Sequence, residues 1–130
     1  MAPKTIITGI EAFPVCVPYK TGRKSDASAW GDRELPAANS LLVKVTPDSG
    51  LEGWGGAFGL RAVASAKLAL DDLIARFASA RTQLGLGLSW WRFQKPLHVF
   101  GRSGSLAYGV SAVDIALWDL AGRLANVPVC

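Results

Sequence analysis

Between residues 40 and 58 the apolar residues alternate around a four-residue turn, and from residue 61 onward they recur three or four apart. This change of period happens once and does not reverse, and it constrains the fold more than any other feature of the chain. In 40–46 (SLLVKVT), Leu41, Val43 and Val45 share one face, while Leu42, Lys44 and Thr46 share the other. Pro47-Asp48-Ser49-Gly50 then supplies turn chemistry, with proline expected at the second turn position and glycine where φ is positive. Residues 51–58 (LEGWGGAF) are the return strand, its glycines marking bends or close approaches. Upstream, 5–17 (TIITGIEAFPVCV) is rich in β-branched residues and reads as a third extended segment. Strict alternation puts Ile6, Thr8, Ile10 and Ala12 on one face of it and Ile7, Glu11 and Phe13 on the other. Pro14 removes a ladder donor, so this segment is an edge strand or is broken there.

The helical pattern has two main parts. Val63, Ala66, Leu70, Leu73, Ile74 and Phe77 line one face of a helix from 61 to about 80, with Asp72 and Arg76 paired on the other side. Leu106, Val110, Val113, Leu117, Leu120 and Leu124 line a second helix from 106 to 124, which carries an Asp119/Arg123 pair. A shorter helical piece within 89–99 is expected to be interrupted at Pro96. Strands first and helices after, without β-α alternation, give an α+β fold: a small three-stranded antiparallel meander followed by a helical bundle. The 130 residues suit one domain, with the sheet in 5–58 and helices in 61–125. Residues 19–38 resist assignment. They have no sustained period and carry Lys20, Arg23, Lys24, Asp26, Asp32, Arg33 and Glu34, with Trp30 in their midst. A loop this long in a compact domain suggests a functional lid.

Composition closes off several function classes. Half of the residues are hydrophobic and 18% are charged, enough for a packed core and unlike a disordered chain. The net charge of +4 is scattered; only Lys20, Arg23 and Lys24 cluster, and no basic stripe is interleaved with aromatics, which argues against a nucleic-acid partner. No apolar run reaches the length of a membrane span, and the first residues lack the apolar core of a signal peptide. Cys16 and Cys130 form neither a disulfide framework nor a metal spacing, so a cytoplasmic setting is expected. His98 is flanked by Leu97 and Val99 and reads as a structural histidine.

The last 22 residues, GVSAVDIALWDLAGRLANVPVC, carry the strongest identifying pattern. Ser111, Ala112, Val113, Asp114, Ala116, Leu117, Asp119, Leu120, Gly122, Arg123, Pro128 and Val129 stand at the spacings of a signature of the mandelate racemase/muconate lactonizing family, in the enolase superfamily. The strand–turn–strand LLVKVTPDSGLEGWG also resembles that family, and the resemblance covers nearly the whole chain. It implies the N-terminal capping domain, which intact members join to a (β/α)-type barrel holding magnesium and a Lys or His base. That barrel removes a proton α to a carboxylate, leading to racemisation, acid-sugar dehydration or cycloisomerisation. A barrel needs about 200 residues or more, and none follow Cys130. The expectation is therefore a capping domain without its barrel, inactive alone, with no catalytic residue and no metal ligand of its own.

By resemblance, the cap contributes a lid over the barrel mouth. Its first segment corresponds to 19–38 and its second to 53–59. The candidates for substrate contact are Lys20, Arg23, Lys24 and Trp30 in the first, with Trp54 and Phe58 in the second. A basic loop suits a carboxylate-bearing small molecule. The implied partners are the barrel and that substrate, and a homo-oligomer is open. Many relatives carry Glu where Gly56 stands here, so that polar contact is absent. The competing expectation is a stand-alone, non-catalytic interaction domain.

Overall fold

The computed structural model describes residues 5–19, 37–58, 62–74, 95–101 and 103–129. Strands β1 (Ile7–Pro18), β2 (Ala37–Pro47) and β3 (Gly53–Phe58) form an antiparallel sheet in the order β1-β2-β3. Helix α1 (Val63–Ala69) follows and runs into a π-helical turn at Leu70–Ile74. A 3-10 turn at His98–Phe100 precedes the long helix α2 (Gly104–Ala125). The expected α+β architecture is therefore present, with both helices on one face of a three-stranded meander.

The alternation of β2 decides which face is covered. Leu41, Val43 and Val45 are completely buried, and they meet Ala112, Val113, Ala116 and Leu120 of α2 and Leu70 beyond α1 in one core. Each fully buried Leu or Val side chain contributes about 1.5–3 kcal/mol of transfer free energy. On α2 Leu106, Val110, Val113, Leu117 and Leu120 are buried, as the spacing predicts, together with Gly109, Ala112, Ala116 and Gly122. Leu124 departs from that stripe: it is 39% exposed, because the sheet has ended beneath the last helical turn.

Glycine sets the distance between β3 and α2. A Cβ on Gly55 would lie 2.1 Å from the Ala112 carbonyl oxygen, and one on Gly53 would lie 2.2 Å from that of Ala116. The small residues of the strand thus face the small residues of the helix, and backbone packs directly on backbone. Residues 53–58 are accordingly a paired strand over their whole length, and of the two readings of its glycines, bend or close approach, Gly53 and Gly55 take the second.

β1 differs from its expected alternation. The register steps from Ile7↔Pro47 to Gly9↔Thr46, so Thr8 is an extra residue in a bulge. The bulge reverses the phase: Ile7 is buried, and so are the inward sides of Ile10 and Ala12, which pack against the core. Glu11 and Phe13 then face outward. The strand continues unbroken through Pro14, which settles the two readings of that proline in favour of an edge strand.

Smaller differences have local causes. Pro47 occupies the first turn position, with the Gly50 N–H donating to its carbonyl at 3.3 Å. Asp48 ties the turn to the start of β1, accepting the Ile6 N–H at 3.2 Å. Residues 95–97 are helical and lead straight into the 3-10 turn, so no break falls at Pro96. Lys67 pairs with Asp71 along the first helix, and the expected Asp72/Arg76 pair falls outside the described residues at Arg76.

α2 ends in a Schellman motif. Asn126 takes φ 54° and ψ 42°, the Val127 N–H donates to the Gly122 carbonyl at 3.0 Å, and the Asn126 N–H donates to that of Arg123 at 3.2 Å. The chain turns back so tightly that a Cβ on Gly122 would lie 2.7 Å from the Val129 side chain. The signature residues Gly122, Pro128 and Val129 thereby have a structural reason to occur together.

Candidate functional site

An antiparallel meander brings the exit of β1, the entry of β2 and the exit of β3 to one end of the sheet. Pro18 pairs with Ala37, and three residues further in, Val15, Ser40 and Phe58 form a cross-strand row. The chain leaves the sheet at this end after Pro18 and again after Phe58; the first lid segment inferred from the sequence starts here, whereas the second, 53–59, is strand β3 as far as Phe58, and only that end of it lies here. Lys20, Arg23, Lys24 and Trp30 lie outside the described residues. Phe58 stands at this end and is 64% exposed, the side chain of β3 most open to a ligand.

Trp54 has a different setting. It lies four residues back along β3, about 13 Å from Phe58 at the usual strand rise. Its ring meets that of Phe13 at 5.9 Å between centroids. Its neighbour across the sheet is Lys44, whose ammonium is 2.9 Å from Glu11 and 3.5 Å from Glu52 and lies 5.9 Å from the Phe13 ring centre. The structure therefore brings Trp54 to the ionic end of the outer sheet face and Phe58 to the lid end.

Lys44 keeps its proton above the ordinary lysine value of 10.5. The hydrogen bond to Glu11 is the main cause, opposed by partial dehydration and aided by the charges of Glu11 and Glu52. A raised folded-state pKa stabilises below the unfolded value and is lost as pH climbs through the folded one. Lys44→Met should therefore be less stable than the parent from pH 7 to pH 9, and the gap should close as pH passes above 10.5. Urea titrations of both proteins across that range check it; a gap independent of pH would assign the loss to packing instead.

The described residues form grooves at β1 and at the end of α2. One of about 780 Å³ runs between β1 and α1, with Cys16, Asn39, Lys67 and Asp71 among its lining. It lies toward the lid end, since Cys16 pairs with Asn39 only two residues from Pro18↔Ala37. The other, of about 370 Å³, is apolar and is formed by Trp118, Gly122, Val127, Pro128 and Val129 where the chain folds back. Among the described residues no three His, Cys, Asp or Glu side chains gather as a metal site. Glu11 and Glu52 are both engaged by Lys44. The magnesium implied by the family resemblance finds no fitting ligand set among them.

Sequence reasoning missed two features. Asp119 does more than pair with Arg123 along the helix: the same carboxylate oxygen accepts the Trp54 N–H at 2.9 Å and the Arg123 Nε–H at 2.8 Å, joining α2 to β3. α2 also carries an exposed apolar stripe of Tyr108, Ile115 and Trp118, continued by Val127 and Val129. Its spacing was legible as a second stripe on the helix, beside the one formed by Val113, Leu117 and Leu120. No helix among the described residues is long and apolar enough to cross a membrane.

Comparison with known proteins fits this architecture. The L-talarate/galactarate dehydratase of Salmonella typhimurium is 28% identical over 112 residues, 81% of this chain and 27% of that protein. The crystal structure of the 3,6-anhydro-D-galactonate cycloisomerase of Zobellia galactanivorans superposes on 95% of the chain and 30% of its own, with a TM-score of 0.73 and 29% identity. An enolase from Bradyrhizobium, crystallised with magnesium and mandelic acid, superposes on 99% of the chain and 34% of its own, with a TM-score of 0.79 and 26% identity. The chain thus spans about a third or less of the length of each. The profile of the mandelate racemase / muconate lactonizing enzyme N-terminal domain matches residues 33–130, and this protein belongs to that family.

Proposed function

We propose that this chain acts as the substrate-specificity cap of a magnesium-dependent enzyme that removes a proton α to a carboxylate. The observation carrying the proposal is the shared end of the sheet at which β1 ends, β2 begins and Phe58 of β3 stands exposed. Placed over a barrel mouth, such an end would exclude water and shape the pocket. Lys20, Arg23 and Lys24 would attract a substrate carboxylate, while Trp30 and Phe58 would bound its apolar side. Trp54, held against Phe13, would stiffen the sheet behind them. Magnesium and the catalytic base would belong to the barrel, as the family resemblance implies. The exposed stripe of α2 and the apolar groove at Val127–Val129 give the barrel a surface to cover.

A cap exchange tests this reading. The chain alone, given magnesium and a panel of hydroxy and sugar acids, should cause no α-proton exchange by NMR. Joined to the barrel of the Salmonella dehydratase in place of its own cap, it should restore turnover with a changed order of substrate preference. Phe58→Ala in that chimera should then raise KM about tenfold for the preferred acid, the order expected when an aromatic wall is lost from a pocket. Activity with the recipient's preferences unchanged, and no effect of Phe58→Ala, would show that this cap does not select substrate.

A further inference from the structure

Among the described residues the sheet has two unpaired edges, and each has lost some of its donors. On β1, Pro14 and Pro18 pair with Leu41 and Ala37. Leu41 also pairs with Ala57 on its other side. In an antiparallel ladder the N–H and C=O of one residue point the same way and alternate along the strand. The Trp54 N–H goes to Asp119 and not across to β2. The alternation therefore turns Trp54, Gly56 and Phe58 toward the free edge of β3, and Gly53, Gly55 and Ala57 toward β2. Leu41 then spends its groups on Ala57, which leaves Pro14 and Pro18 with their nitrogens on the free edge of β1. Proline offers no N–H there, a common protection of edge strands.

β3 has no proline, and its composition, GWGGAF, is apolar and uncharged. Such an edge is a template for strand addition. We infer that Asp119 is the guard of this edge: it caps the Trp54 N–H with a carboxylate and sets a negative charge where another strand would lie. Arg123 holds the carboxylate in place. A helical residue thus does for β3 what two prolines do for β1. The occupant kept out is β3 of a second copy, since an antiparallel pair of identical strands matches its own exposed groups and buries Trp54 and Phe58 against each other.

The test is amide hydrogen exchange of the full chain over a hundredfold range of protein concentration. In the parent, the Gly56 and Phe58 amides should exchange at rates independent of concentration. In Asp119→Ala they should slow at least tenfold at the high end while circular dichroism stays native. Asp119→Asn, which retains an acceptor for Trp54 but loses the charge, should fall between the parent and Asp119→Ala, and slowing as large as in Asp119→Ala would overturn the cap on Trp54. A folded Asp119→Ala with concentration-independent exchange would overturn the inference. Should that variant fail to fold, Arg123→Ala carries the test, because it removes an exposed side chain and no core atom. It must show the same slowing at Gly56 to a smaller degree, and its absence would equally overturn the guard.

Discussion

Gly55→Ala is expected to be the most damaging single-methyl change in the described part of this protein. The added carbon would sit 2.1 Å from the Ala112 carbonyl oxygen and 2.6 Å from the Ala116 nitrogen. Neither atom can swing aside, because both belong to the backbone of α2. Relief requires the whole helix to lift from the sheet, which opens the layer containing Leu41, Val43 and Leu120. Overpacking of that kind costs about 3 kcal/mol or more, a large share of the 5–15 kcal/mol that holds a domain together. Gly56→Ala, one residue on, is the control. Its carbon would meet only the Leu42 side chain at 3.5 Å and the Leu41 carbonyl oxygen at 3.7 Å. That change should be neutral or stabilising by about 0.5–1 kcal/mol, because alanine loses less backbone entropy on folding. Urea unfolding of the two variants should shift the midpoint in opposite directions. Equal effects would mean that the strand and helix do not approach this closely.

Leu120→Ala should cost about 2–5 kcal/mol, the range for emptying a buried leucine site. Leu120 is fully buried and packs beside Gly53 on β3, so a cavity there is walled by strand and helix backbone that relaxes little. Trp118, two residues earlier on the same helix, is larger but 46% exposed. Trp118→Ser should change stability by less than about 1 kcal/mol. It should also reduce association of the isolated chain, as read by light scattering in a dilution series, because it removes the largest member of the exposed stripe on α2. A strongly destabilised Trp118→Ser would place that side chain in the core and remove the surface offered to a barrel.

These contrasts show why the signature was legible as identity but not as chemistry. Its residues recur because α2 must meet a strand without side chains, hold Asp119 at that strand's edge, and turn back sharply over Gly122. Each need is structural. The candidate site was readable only as a place. The aperiodic character of 19–38 suggested a lid, although Ala37 and Ala38 belong to β2 and 20–36 lie outside the described residues, while Trp54 and Phe58 looked equivalent as two aromatics in one glycine-rich run. Along β3 their side chains do share a face. What separates them is position: one lies beside the Glu11–Lys44–Glu52 cluster and Phe13, the other at the open end of the sheet.

The sequence by itself determined the layer order, the pairing partners of β2, the buried stripe of α2 and the family. Those properties follow from side-chain period and from spacing along one chain, and both are local. Tertiary structure alone decided the rest. The bulge at Thr8 reverses the faces of β1, since one extra residue shifts a period of two by half a cycle. Leu124 is exposed because the sheet ends before the helix does. The glycines of β3 prove to be packing surfaces, and Asp119 proves to bond a strand 65 residues away in sequence. Such facts depend on which two surfaces meet and at what distance, and no periodicity within either segment records that.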